Sequence, residues 1–190
     1  MRLKHSLLVL PMMGAAMPAA AHTGSHAASG LVGGFAHPFG GLDHILAMIA
    51  VGLFAAVLGG RALWAVPATF ASMMLVGGVM GFMGIEIPAV EAGIALSVVF
   101  FGAVLAARIR CRISIAVIPT GMFAIFHGYA HGAEMPMEAA AALYCFGFVS
   151  ATVLLHGAGL ALGTVFSHRQ MIHLWAGAGI SIAGVVLSLS

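Results

Sequence analysis

Six long apolar stretches, separated by short connections that hold nearly all of the charge, leave this chain few ways to fold. They run roughly over residues 38–58, 62–83, 89–107, 113–133, 139–165 and 171–189. Each is close to the ~20 residues that an α-helix needs to cross ~30 Å of hydrocarbon. Inside hydrocarbon a segment must satisfy its own backbone hydrogen bonds, which selects helices over open sheets. The expected fold is therefore all-α: a polytopic integral membrane protein, a bundle of six transmembrane helices joined by tight turns. Composition agrees, because 6% charged residues is far below the roughly one quarter typical of soluble domains. A chain of 190 residues leaves no room for a separate soluble catalytic domain.

The segment before these stretches has a different character. Arg2 and Lys4 precede an apolar run from Leu7 to Ala16, and Ala19 and Ala21 form a small-residue pair ahead of His22. This is the pattern of a secretory signal peptide, so residues 1–21 are expected to be removed and residues 22–190 to form a single transmembrane domain. Loss of Arg2 and Lys4 leaves five arginines against five acids, a balance that gives no reason to expect a nucleic-acid partner. Two cysteines, Cys111 and Cys145, do not make a disulfide framework.

The arginines set the orientation. Arg61, the group Arg108, Arg110 and Arg112, and Arg169 lie in alternate connections, hence at one end of the bundle. By the positive-inside rule that end is cytoplasmic. Glu86, Glu91, Glu134 and Glu138 fall at the other end, in agreement with a mature N-terminus in the periplasm and a multi-pass location in a bacterial inner membrane.

Ionisable side chains inside a membrane are costly, and each is a functional candidate by default. One cluster is His37-Pro38-Phe39-Gly40-Gly41-Leu42-Asp43-His44. Pro38 suits a first helical turn, and in a continuous helix His37 and His44, seven apart, share one face. Asp43 lies about 100° round that helix, where it orients a ligand, coordinates directly or faces another helix. A second cluster is Phe126-His127-Gly128-Tyr129-Ala130-His131-Gly132-Ala133-Glu134. His127 and His131 are stacked at i, i+4 with Glu134 three further on, so all three can converge on one ion. Counted from the outer helix ends, His44 and His127 both lie about 10 Å deep, which lets the clusters meet.

Imidazole nitrogen with carboxylate oxygen suits a divalent metal of the Ni²⁺, Co²⁺ or Zn²⁺ kind, whereas Cu⁺ would favour sulfur. The candidate metal residues are thus His37, Asp43, His44, His127, His131 and Glu134. His22 and His26, near the mature N-terminus, and His156, alone on an apolar stretch, are accessory candidates. Small-xxx-small pairs at Gly77/Gly81, Gly128/Gly132 and Gly159/Gly163 read as close helix packing in lipid.

On these residues the chain resembles the HupE/UreJ family of nickel and cobalt permeases. His37-Pro38-x-x-Gly41-x-Asp43-His44 is similar to that family's first signature. Phe126-His127-Gly128-x-Ala130-x-Gly132-x-Glu134 is similar to its second. The resemblance runs over the whole chain and implies uptake of Ni²⁺ or Co²⁺. It implies metal-handling roles for His37, Asp43, His44, His127 and Glu134. His131 falls at a variable position of the second signature and rests on helical spacing alone.

The expected function is a secondary, channel-like permease with a transported metal as its substrate and no cofactor of its own. There is no nucleotide motif, so no nucleotide partner is expected. The same donors would also serve an intramembrane zinc-dependent hydrolase, in which the metal activates water. That is the rival reading.

Overall fold

The computed structural model describes residues 30–135 and 141–189, and within them every regular element is helical. The proposed leader, together with His22 and His26, lies outside the described residues. Seven α-helices follow in order: α1 (Leu31–Ala36), α2 (Leu42–Leu58), α3 (Ala62–Phe82), α4 (Val90–Ala106), α5 (Ile113–Ala133), α6 (Ala141–Val165) and α7 (Gln170–Leu187). A 3-10 turn, His37–Phe39, links α1 to α2. Helices α3, α5, α6 and α7 are long and apolar enough to cross a membrane, and α1 with α2 passes as one pair bent by 85°. Helix α4 is apolar but shorter, at 17 residues. With large apolar side chains such as Trp64, Ile118, Phe146, Leu154 and Ile182 on the outside, the chain is an integral membrane protein.

The bend corrects one expectation. Residues 38–58 do not form a continuous helix. Gly40 is still helical, with its N–H donating to the His37 carbonyl, but Gly41 is extended at φ −114°, ψ 126°. The helix that restarts at Leu42 has its first-turn N–H groups free of helical partners, and the His44 N–H donates to Asp43 Oδ1 at 2.7 Å. His37 and His44 therefore do not share a helix face. The sequence pattern missed the break because a Gly-Gly pair inside an apolar run still reads as helix.

Glycines decide how the bundle closes. A Cβ on Gly128 would run into the Met74 carbonyl and one on Gly132 into that of Gly78, while Gly77 and Gly81 meet the carbonyls of Ile125 and Tyr129. Helices α3 and α5 thus touch backbone to backbone along an interlocked seam, as small residues permit in lipid. Similar contacts join α2 to α6 through Gly52 and Gly159, and α4 to α7 through Gly102 and Gly177. Helix α2 sits at the centre, packed against α3, α4, α6 and α7, and its core residues Met48, Val51 and Phe54 are almost wholly buried.

Two of the arginine-bearing connections meet at one end of the bundle. Arg108 Nη2 donates to the Ser167 carbonyl at 3.2 Å, which ties the α4–α5 connection to the α6–α7 connection at one end. Trp64 lies beneath the Arg61 guanidinium, an aromatic near the arginine-bearing end of the kind found at membrane interfaces. Cys111 and Cys145 are both free thiols.

Candidate metal centre

Two pieces of backbone bring the histidines together. The first is the bent segment between α1 and α2. The second is the last two turns of α5, whose depth is fixed by the glycine seam with α3. Gly128 and Gly132 follow His127 and His131 by one residue each, or about 100° round the helix. The glycines face α3 while the imidazoles face inward, and both His127 and His131 are fully buried.

The two segments meet through their rings. His44 lies edge-on to His127 at 4.9 Å between centroids and to His131 at 4.6 Å. His37, carried back by the bend, reaches the same place from another direction, 4.8 Å from His131. Its Nε2 is 3.1 Å from Glu134 Oε2, on the residue that caps α5. All six of the core candidates from the sequence, His37, Asp43, His44, His127, His131 and Glu134, thus form one connected group. Among the described residues, no three of the His, Cys, Asp and Glu side chains close on a single point as a loaded metal site would. The rings are packed edge to face instead.

Asp43 has a definite place. Its Oδ1 accepts from the His44 ring Nδ1–H at 2.8 Å as well as from the His44 backbone N–H. A neutral imidazole carries one N–H and one bare nitrogen, so this bond leaves Nε2 of His44 bare. Of the three roles open to Asp43 from the sequence, the structure displays orientation of the adjacent histidine, the arrangement that metal-binding imidazoles commonly have. Gly41 makes room for the pair, because a Cβ there would overlap the Asp43 carboxylate and lie 3.1 Å from His44 Nδ1.

Several ring nitrogens have no hydrogen-bond partner within the described protein. They are Nε2 of His44, Nδ1 of His127, and both nitrogens of His131 and of His156. An unsatisfied buried polar atom costs about 1–3 kcal/mol, and native folds keep few of them. Four of these nitrogens, on His44, His127 and His131, lie in the one ring cluster, with the carboxylates of Asp43 and Glu134 beside it.

Four residues at the site carry no clear signal in the sequence. Ser97 of α4 is 2.8 Å from His127 Nε2. Phe148 of α6 stacks on His131 at 5.3 Å. Tyr144 of α6 lies edge-on to His37, with its hydroxyl buried and unpartnered. Phe70 of α3, fully buried, packs against His127 at 5.6 Å and against His156 at 5.1 Å. Each belongs to a helix remote in sequence from the motif, and only Ser97, a polar residue in an apolar span, could have drawn attention.

His156 does not join the outer group. It is buried on α6 beyond Phe70 and lines an apolar groove between α3 and α6 with Trp64, Pro67, Ala71 and Leu160.

Comparison with known proteins bears on the whole chain. The family model described as HupE / UreJ protein matches residues 10–187. The protein named Protein HupE from Rhizobium leguminosarum bv. viciae is 42% identical over 189 residues, spanning 97% of this chain and 98% of that one. No solved structure matches.

Proposed function

From the premise that the chain belongs to the HupE/UreJ family, we propose that it is a permease importing a divalent transition metal, Ni²⁺ or Co²⁺, across the bacterial inner membrane. The observation that carries this reading is the meeting of the half-buried His44 with the fully buried His127 and His131, three imidazoles from two segments with unpartnered nitrogens among them. Nitrogen donors with carboxylates at the rim suit these ions. The residues proposed to handle the metal are His37, His44, His127, His131 and Glu134, with Asp43 holding His44 in place.

In this reading the chain crosses the membrane six times, with α1 and α2 as one broken crossing and α4 as a short one. The arginine-bearing end is cytoplasmic, residues 1–21 are a cleaved leader, and the mature N-terminus, with His22 and His26, is periplasmic. The pair His37 and Glu134, at the acidic end, receives the ion. It then passes to His44, His127 and His131, and onward past the Phe70 ring toward His156. A broken crossing that offers a functional site at its break is a recurring device in transporters. Edge-to-face rings that must turn to coordinate an ion fit a site that binds weakly enough to let go.

The zinc-hydrolase rival would need a group placed to activate water. Asp43, the nearest carboxylate to His44, is already engaged by two N–H groups of that residue, which favours transport. Radiolabelled Ni²⁺ and Co²⁺ uptake into proteoliposomes tests the proposal. Wild type should accumulate metal, and His44→Ala and His127→Ala should not. Equal uptake by all three would sink the permease reading.

A further inference from the structure

Ser97 is the α4 side chain hydrogen-bonded to the histidine group, and its environment determines a proton position. It is fully buried, with Oγ 2.6 Å from the Ile94 carbonyl oxygen and 2.8 Å from His127 Nε2. A serine hydroxyl has one proton to give, and a carbonyl has none. Two oxygens this close, with no proton between them, would repel each other, so the Ser97 proton is directed to Ile94. What Oγ then presents to His127 is a lone pair, and a hydrogen bond there requires the proton to be on Nε2. In a neutral ring, Nδ1 is consequently bare, and Nδ1 of His127 is the nitrogen found buried without a partner.

We infer that Ser97 is a positioning residue that locks His127 in the Nε2–H tautomer and so reserves Nδ1 as the nitrogen offered to the ion. The role of the lone pair rests on the permease reading above; the tautomer itself does not. Across the site, Asp43 does the complementary job by taking the Nδ1–H of His44 and leaving Nε2 bare. The two facing rings are therefore anchored through opposite nitrogens, one by a carboxylate and one by a hydroxyl. The choice of acceptor follows burial. His127 is fully buried, where an added charge would be costly and a neutral hydroxyl is not. Asp43 is less enclosed, its side chain 22% exposed.

The test uses the full-length protein, labelled with ¹⁵N-histidine, in lipid nanodiscs without added metal. The His127 signals are assigned by their loss in His127→Gln. In wild type, Nε2 should carry the proton and Nδ1 should be bare. Ser97→Ala should mix or invert the two, and Ser97→Thr, which keeps the hydroxyl, should restore the wild-type pattern. Titration with Co²⁺ alone should show affinity about 10–100-fold weaker in Ser97→Ala, the range found when a group orienting a metal-binding histidine is lost, and recovered in Ser97→Thr. A purely packing role would leave the nitrogen signals unmoved. A wild-type His127 protonated on Nδ1 overturns the inference, as does a Ser97→Ala protein with wild-type tautomer and Co²⁺ affinity. If the tautomer responds to Ser97 but no variant binds Co²⁺, the lock stands and the permease reading falls.

Discussion

His127 and His156 touch the same phenylalanine ring, at 5.6 and 5.1 Å, and both are buried, yet their surroundings differ. His127 has its Nε2 held by Ser97 and faces His44, which is held by Asp43. Among the described residues, His156 has neither nitrogen met by a partner, and no carboxylate lines the apolar groove it shares between α3 and α6. An imidazole whose N–H is anchored has a defined lone pair and a defined orientation, which is what a binding site requires. An unanchored one can turn, so it can pass an ion but not define where the ion rests. In the proposed permease, the outer group would thus be the selective station, and His156 a step on the way out.

The sharpest way to break this contrast is to remove the imidazoles themselves. His44→Ala or His127→Ala should lower Ni²⁺ uptake by about 100-fold or more, since each deletes a proposed ligand outright, a larger loss than that of a group which only orients one. Uptake at several metal concentrations checks this. Removing the anchor comes next. Asp43→Ala should weaken metal binding by about 10–100-fold, with Asp43→Asn at the mild end because its amide oxygen still accepts the Nδ1–H. Calorimetric titration in detergent would reveal an equal loss in both if charge alone mattered.

Gly41→Ala leaves every donor in place but puts a methyl group where the Asp43 carboxylate lies. Overpacking of this kind costs about 1–3 kcal/mol, and here it should appear as weakened metal affinity with the thermal midpoint little changed. A large fall in the midpoint with affinity retained would instead assign Gly41 to folding. The smallest effect is expected inside. His156→Ala should slow uptake by about 2–10-fold, less than the loss of an anchored ligand, and leave equilibrium binding unaltered. A binding loss as large as that of His127→Ala would erase the distinction between the two stations.

Much of this was legible in the sequence because membrane helices announce themselves. The bounds of α5 match the expected 113–133, and α3 ends one residue before the expected 83. The pairing of His127 with His131 followed from helical spacing, and the glycine pairs were readable as packing positions. What spacing cannot supply is the identity of the partner. The seam between Gly128 and Met74, and the bond between Ser97 and His127, join helices whose order in space the apolar pattern does not encode. The bend at Gly40–Gly41 escaped for another reason. Asp43 completes the first turn of the restarted helix with its own carboxylate, so an acid expected in a metal site also shapes the backbone that places His37. His37 reaches the site through that break rather than along a shared face.

The most direct test of the account is X-ray absorption at the nickel edge on the Ni²⁺-loaded protein in nanodiscs, comparing wild type with His44→Ala and His127→Ala. Imidazole outer-shell scattering should be present in wild type, from more than one ring, and should drop in each variant, if one ion is held by histidines from both segments as proposed. Nickel scattering that is the same in all three proteins, or that lacks imidazole altogether, would contradict it.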